Sequence, residues 1–200
     1  MKVAIADYGA GNLRSLGCAL VRAGAQPVVT IDPAVVADAE LAVIAGVGHV
    51  GSAACGLARH GLDEALRERV SEGRPVAGIC VGLQLLFGES EEGGCGLGLV
   101  EGSVPHLRAR RVPHMGWNAL RVERRNMTLE GLDGADVYFA HSFAVEPVDG
   151  SVAVASVDHD GRIVAAIESG PLAGVQFHPE RSGAAGARVL ANLLRWSRSE

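Results

Sequence analysis

The sequence predicts an α/β fold on a doubly wound mixed sheet, parallel in its N-terminal half and antiparallel in its C-terminal half. Two observations carry this. Up to about residue 96, short apolar runs alternate with helix-periodic segments, and strands joined through a helix pair in parallel. Beyond it, apolar runs follow one another with only turn residues between them, which implies antiparallel strands. No internal repeat, low-complexity tract or linker interrupts the 200 residues. One domain spanning 1–200 is therefore expected.

The elements follow in order. "KVAIAD" (2–7) is a short buried strand, followed by the turn "YGAG" and an apolar-periodic helix from about Asn12 to Ala23. "PVVTI" and "LAVIAG" are the next two strands, the second running into the glycine-rich "GVGHVG". "LDEALRERVSEG" is an amphipathic helix that stops at Gly73, and "PVAGI" is another buried strand. In the second half, "GLGLVEGSVPHL", "ALRVE", "DVYFAHSF", "SVAVASV" and "IVAAIES" are expected as antiparallel strands attached to the parallel sheet. Ser182 is expected to cap a final helix in which Ala187, Leu190 and Leu194 share one face.

Composition narrows the function. With 48% apolar and 20% charged residues the chain reads as globular, and its 27 glycines promise tight turns and close backbone approaches. A net charge of -5 argues against general nucleic-acid binding. No segment approaches the ~20 unbroken apolar residues that span a bilayer. "MKVAIADYG" meets an acidic residue and a turn where a signal peptide would stay apolar, so a cytoplasmic location is expected. Cysteines 18, 55, 80 and 95 lack C-x-x-C spacing, which indicates neither zinc nor a disulfide framework. Cys18 falls in a helical pattern and reads as core, and Cys55 and Cys95 have no supporting context. The first turn offers a decoy: "GAGNLR" starts like a dinucleotide fingerprint and Asp32 follows the second strand, but Arg14 stands where the third glycine belongs.

Chemistry gathers around Cys80. "GICVG" (78–82) has the form of a nucleophile elbow with cysteine in the serine position. A nucleophile on a strained strand-to-helix turn needs small neighbours so that strand and helix can pass closely. The helix that follows directs its N-terminal partial positive charge at the sulfur. In "QFHPERSG" (176–183), Pro179 biases His178 toward an extended backbone, and in extended chain residues two apart face the same way. His178 and Glu180 are thus expected to converge as base and orienter. "AGVGHVG" (45–51) ends the third strand and can supply a backbone N–H to an oxyanion, although an ordinary turn would read the same.

Together these segments resemble the class I, triad-type glutamine amidotransferases. "DYGAGNLRS" (7–15), "GVG" (46–48), "GICVGLQLL" (78–86), "VPHMGWN" (112–118), "YFAHSF" (138–143) and "QFHPERSG" carry the resemblance over nearly the whole chain. "DYGAGNL" and "PHMGWN" point to the glutaminase-subunit family of imidazole glycerol phosphate synthase. The resemblance implies a triad of Cys80, His178 and Glu180, and an oxyanion hole from Gly46, Val47, Gly48 and the Val81 N–H. It implies a glutamine pocket lined by Gln84, His141, Ser142 and Phe143. Asn12, Met115, Trp117 and Arg181 would dock on a (β/α)8 barrel cyclase subunit in a heterodimer, through which ammonia passes. No metal or organic cofactor is implied, and no nucleic-acid or membrane partner. The chain departs from the family at Ala45 (usually proline), Val50 (phenylalanine), Phe143 (tyrosine) and Arg181 (lysine).

The arginine-rich stretch 108–125 is either a solvated face or a complement to an acidic rim on the cyclase. Rival readings are the glutaminase subunit of pyridoxal phosphate synthase, which "PHMGWN" disfavours, a cysteine peptidase, and a non-catalytic binding subunit.

Overall fold

The computed structural model describes residues 1–199. The first half alternates strands with helices: β1 (Lys2–Ala6), α1 (Leu13–Arg22), β2 (Gln26–Thr30), α2 (Pro33–Asp38), β3 (Leu41–Gly46), α3 (Val50–Arg59), α4 (Leu62–Ser71), β4 (Val76–Cys80) and α5 (Val81–Leu85). β3 and β4 are buried along their whole length, with no in–out alternation. That is the mark of parallel strands covered on both faces. In α1, Leu13, Leu16, Ala19 and Leu20 form the buried stripe, and Cys18, expected in the core, lies off it and is exposed.

Two helices go beyond the sequence expectation. α2 is short, but Asp32 accepts a hydrogen bond from the Ala34 N–H at 2.9 Å and Pro33 occupies the first turn, a strong start signal. α3 is built from "VGSAACGLAR", whose small residues blur the helical period. α4 carries a buried cation. Arg69, only 1% exposed, donates to the carbonyls of Val36, Ala37, Ala39 and Pro75 at 2.8–3.1 Å. It thereby pins the end of α2 to the approach to β4. Burial, with Arg74 nearby, pulls its pKa down to about 10.

The second half contains β5 (Phe87–Ser90), β6 (Val100–Val104), β7 (His114–Ala119), β8 (Arg121–Val122), β9 (Asp136–His141), β10 (Glu146–Pro147), β11 (Ala153–Asp158), β12 (Arg162–Ser169), β13 (Leu172–Val175) and α6 (Gly183–Trp196). The main sheet has eight strands in the order β2-β1-β3-β4-β13-β12-β11-β8. It is parallel from β2 through β13 and antiparallel from there to β8. The expected fold class holds, with two refinements. β13 crosses back to pair in parallel with β4, and two small sheets, β10-β6-β5 and β7-β9, stand apart from the main one. They take the "GLGLVEGSVPHL" strand β6, which pairs in parallel with β5, and the "DVYFAHSF" strand β9 out of it.

α6 corrects two expectations. Its buried stripe runs through Gly186, Val189, Leu190, Leu193 and Leu194, and Ala187 lies outside it, exposed. Ser182 precedes the helix but makes no side-chain cap. Its hydroxyl instead donates to the His178 carbonyl at 2.6 Å and accepts the Tyr138 N–H at 2.9 Å. Among the described residues no helix is long and apolar enough to cross a membrane.

Candidate active site

Three neighbouring parallel strands end side by side: β3 at Gly46, β4 at Cys80 and β13 at Val175, just before His178. The carboxyl edge of a parallel sheet, where its loops converge, is where such folds place their sites. Cys80 sits at the tip of the β4–α5 turn with φ 55° and ψ −110°, a conformation that L-residues adopt only under strain. The flanking glycines are obligatory. A Cβ on Gly82 would lie 1.8 Å from the Ile44 carbonyl oxygen, and one on Gly78 would lie 2.5 Å from the Gly82 oxygen. α5 can leave β4 this sharply and still pack on β3 because neither residue has a side chain.

His178 and Glu180 converge on the same point. His178 Nδ1 lies 2.9 Å from Glu180 Oε1, and both side chains are buried. The Cys80 side chain lies beside the imidazole, close enough to shift its titration. Burial works against the charged imidazolium, but the neighbouring Cys80 and Glu180 outweigh it and lift the His178 pKa to about 10. The route to this geometry differs from the expected one. His178 is extended, with φ −102° and ψ 98°, but Glu180 lies in a single 3-10 turn, Pro179–Arg181. The two side chains meet because the turn curls back, and strand alternation plays no part. β9 holds the turn: the His178 N–H donates to the Tyr138 carbonyl at 2.9 Å, beside the Ser182 bridge.

A cavity of about 290 Å³ opens over the sulfur, lined among others by Val47, Gly48, Cys80, Val81, Gln84, Met115, His141, Ser142 and Phe143. Val47 and Gly48, just past the end of β3, border the cavity, and no backbone hydrogen bond engages their N–H groups within the described residues. Gly46 is tightly enclosed on its other side, where a Cβ would meet the Tyr8 hydroxyl and the Ala10 carbonyl. Gly11 from the first turn abuts it too, since its own Cβ would lie 2.7 Å from the Gly46 Cα. The "GAGN" turn therefore packs on the strand after β3, and Asp32, the other half of the decoy, caps α2.

The pocket wall is made rigid from behind. Gln84 Nε2 donates to the Phe143 carbonyl at 2.9 Å and to Gln176 Oε1 at 3.1 Å. His141 has both ring nitrogens engaged, Nδ1 with the Phe143 carbonyl at 2.8 Å and Nε2 with His114 Nδ1 at 3.0 Å. His141 thus shapes the wall and has no ring nitrogen left for a ligand. Burial pushes its pKa down to about 3, and burial together with His159 pushes that of His114 down to about 4.

The remaining expected residues lie beside this site. Asn12 borders a crevice shared with Val47, His178 and Glu180. Met115 and Trp117 project from the outer face of β7, 65% and 57% exposed. Trp117 meets the Tyr138 ring edge-on at 6.0 Å, and the Arg181 guanidinium lies 4.3 Å over the same ring. Of the arginine-rich stretch, Arg110 is paired with Asp160 at 2.7 Å, while Arg108, Arg111, Arg121, Arg124 and Arg125 are exposed. Sequence reasoning missed Gln176, His114, Tyr138 and Ser182. Each acts through contacts between distant segments, and only "PHMGWN" and "QFHPERSG" hinted at their neighbourhoods. Among the described residues no cluster of His, Cys, Asp and Glu is arranged to hold a metal ion.

Comparison with known proteins shows the family of the chain. The family model described as "Glutamine amidotransferase class-I" matches residues 4–195. "Imidazole glycerol phosphate synthase subunit HisH" of Mycolicibacterium paratuberculosis is 45% identical over 201 aligned residues, covering 96% of each chain. The protein of the same name from Symbiobacterium thermophilum is 44% identical, covering 98% of this chain and 93% of its own. A crystal structure described as a glutamine amidotransferase superposes with a TM-score of 0.79 at 20% identity, covering 98% of both chains, and speaks for the fold. The chain belongs to the class-I glutamine amidotransferases, among the imidazole glycerol phosphate synthase HisH subunits.

Proposed function

We propose that residues 1–200 form one glutamine amidotransferase domain that hydrolyses glutamine through a glutamyl thioester on Cys80. One observation carries the reading: a cysteine held at positive φ on a strand-to-helix turn stands beside a histidine that is itself 2.9 Å from a buried carboxylate. The sulfur attacks the side-chain carbonyl carbon of glutamine. Backbone N–H groups of Val81 and of the strand Gly46, Val47, Gly48 receive the oxyanion. His178, held by Glu180, gives its proton to the departing ammonia, then takes one from water as that water attacks the thioester and releases glutamate. Gln84, Ser142 and Phe143 enclose the substrate, with His141 behind them.

The ammonia passes to a (β/α)8 cyclase subunit, which makes imidazole glycerol phosphate and 5-aminoimidazole-4-carboxamide ribonucleotide in histidine biosynthesis. The names of the relatives, subunits of that synthase, support this partner. So does an exposed apolar pair on the outer face of β7, Met115, which also lines the cavity, and Trp117 two residues on. Asn12 and Arg181 flank the same face. The test is glutamate release from the isolated chain, then with saturating cyclase and its substrate. Release that rises with the partner and vanishes in Cys80→Ala is expected. Activity retained in Cys80→Ala would overturn the reading.

A further inference from the structure

Gln176 is fully buried beside the nucleophile, and its Nε2 lies 3.7 Å from Cys80 Sγ. An amide can face a sulfur with either end, and the surrounding bonds decide which. The Phe143 carbonyl can only accept. Gln84 reaches it at 2.9 Å, so the Gln84 nitrogen must point there, and its second N–H then points at Gln176, 3.1 Å away. A flipped Gln176 would set donor against donor at that contact. Gln176 is therefore held with Oε1 toward Gln84 and its N–H toward the sulfur.

The same carbonyl orders a second branch. His141 must donate to it from Nδ1 at 2.8 Å, so its Nε2 accepts from His114 Nδ1 at 3.0 Å. His114 Nε2 in turn accepts from Asn118, 3.3 Å away, whose amide also donates to the Asp158 carbonyl at 2.9 Å. Every link has one allowed sense. A donor locked in this way cannot turn away when negative charge appears on the sulfur.

We propose that Gln176 is a further catalytic residue, whose amide N–H stabilises negative charge on Cys80 sulfur and is held toward it by Gln84 and the Phe143 carbonyl. The inference rests on Cys80 being the nucleophile. It assigns to Gln176 a share of the sulfur's activation that the His178–Glu180 pair does not supply. The donor acts on the attacking sulfur and not on glutamine, so its loss should slow the covalent step without weakening binding.

The experiment is inactivation of the chain by a chloroketone analogue of glutamine, with saturation kinetics separating the binding constant from the rate of covalent attack. Peptide mass spectrometry identifies the labelled cysteine, and the exposed Cys18, Cys55 and Cys95 serve as internal controls. Gln176→Met keeps the volume and removes the amide. Gln176→Glu keeps the bond to Gln84 and replaces the donor by a carboxylate. The rate of attack should fall about tenfold in Gln176→Met, the size expected for one hydrogen bond to a charged group, and further in Gln176→Glu. The binding constant should not move.

An unchanged rate of attack in a Gln176→Met variant that melts like wild type would overturn the proposal, as would parallel losses of binding and rate. If Gln176→Met does not fold, Gln176→Glu decides alone, and a wild-type rate there contradicts the proposal. Labelling of another cysteine in the wild-type chain would instead remove the reading on which the inference rests.

Discussion

At the scale of single residues, the site depends on backbone that only glycine can supply. A Cβ on Gly82 would occupy the space of the Ile44 carbonyl, a backbone atom that cannot swing aside. Gly82→Ala should therefore destabilise the chain by about 1–3 kcal/mol or more. It should also reduce Cys80 labelling, as read by thermal melting and mass spectrometry. Substitution at the exposed Gly73 C-terminal to α4, where a Cβ meets nothing within 4 Å, should be far milder even at φ 74°. Within the proposed triad, His178→Ala should cost ~100- to 10,000-fold in glutamate release, the usual range for lost acid–base catalysis. Glu180→Gln should cost less, because the carboxylate orients the ring without taking its proton. A larger loss in Glu180→Gln would reverse these roles. The elbow was legible in the sequence because sterics force small residues around the nucleophile. The His178–Glu180 contact was legible as a pairing of residue types, but the 3-10 turn that makes it was hidden.

At the scale of elements, buried polar side chains stitch segments that hydrophobic pattern alone leaves loose. Arg69 satisfies carbonyls at the end of α2 and before β4. Arg69→Met would remove four hydrogen bonds, although the Ala37 and Ala39 carbonyls keep Arg74 and the Pro75 carbonyl keeps the Ala42 N–H. It should lower stability by roughly 1–3 kcal/mol, measured by denaturant unfolding. The histidines set a pH dependence. His141 and His114 have folded pKa values of about 3 and about 4, below the ordinary 6.5. Between those values and 6.5 the unfolded chain binds more protons, so stability should fall as pH drops below about 6.5. His178 runs the other way. Its folded pKa of about 10 lies above 6.5, so its contribution is complete below 6.5 and is lost as pH rises toward 10. Thermal melting should therefore peak near neutral pH, and His141→Asn should weaken the acid limb. A melting temperature flat from pH 7 to pH 4 would contradict the buried-neutral assignment. None of this was legible beforehand. A periodic pattern reports burial, and it does not report which distant carbonyl a buried arginine or histidine will find. α3 escaped for a related reason, since its alanines and glycines carry too little contrast to show a helical stripe.

At the scale of the whole molecule, the sheet order brings three chain segments to one edge. β3, β4 and β13 deliver the Val47 and Gly48 amides, the Cys80 sulfur and the His178 imidazole to that edge. The alternation of strands and helices predicted the parallel half, but the return of β13 to the flank of β4 is a long-range pairing that no local window contains. The cavity includes Met115 of the outer face of β7, so one surface borders both the proposed glutamine pocket and the proposed partner. Trp117 packs on Tyr138, whose carbonyl holds the His178 N–H, and this gives docking a short path to the base. Trp117→Ala should weaken association by about 2 kcal/mol or more, the scale of an aromatic anchor. It should also reduce the partner's stimulation of glutamate release, by calorimetry and enzyme assay respectively. Weaker association with full stimulation at saturation would separate docking from activation. The most direct measurement is capture of the covalent intermediate. The chain, with cyclase and cyclase substrate, is mixed with glutamine, quenched in acid during turnover, and digested for mass spectrometry. The account predicts a glutamyl adduct on the peptide that contains Cys80. An adduct on Cys18, Cys55 or Cys95, or undiminished turnover in Cys80→Ala, would contradict it.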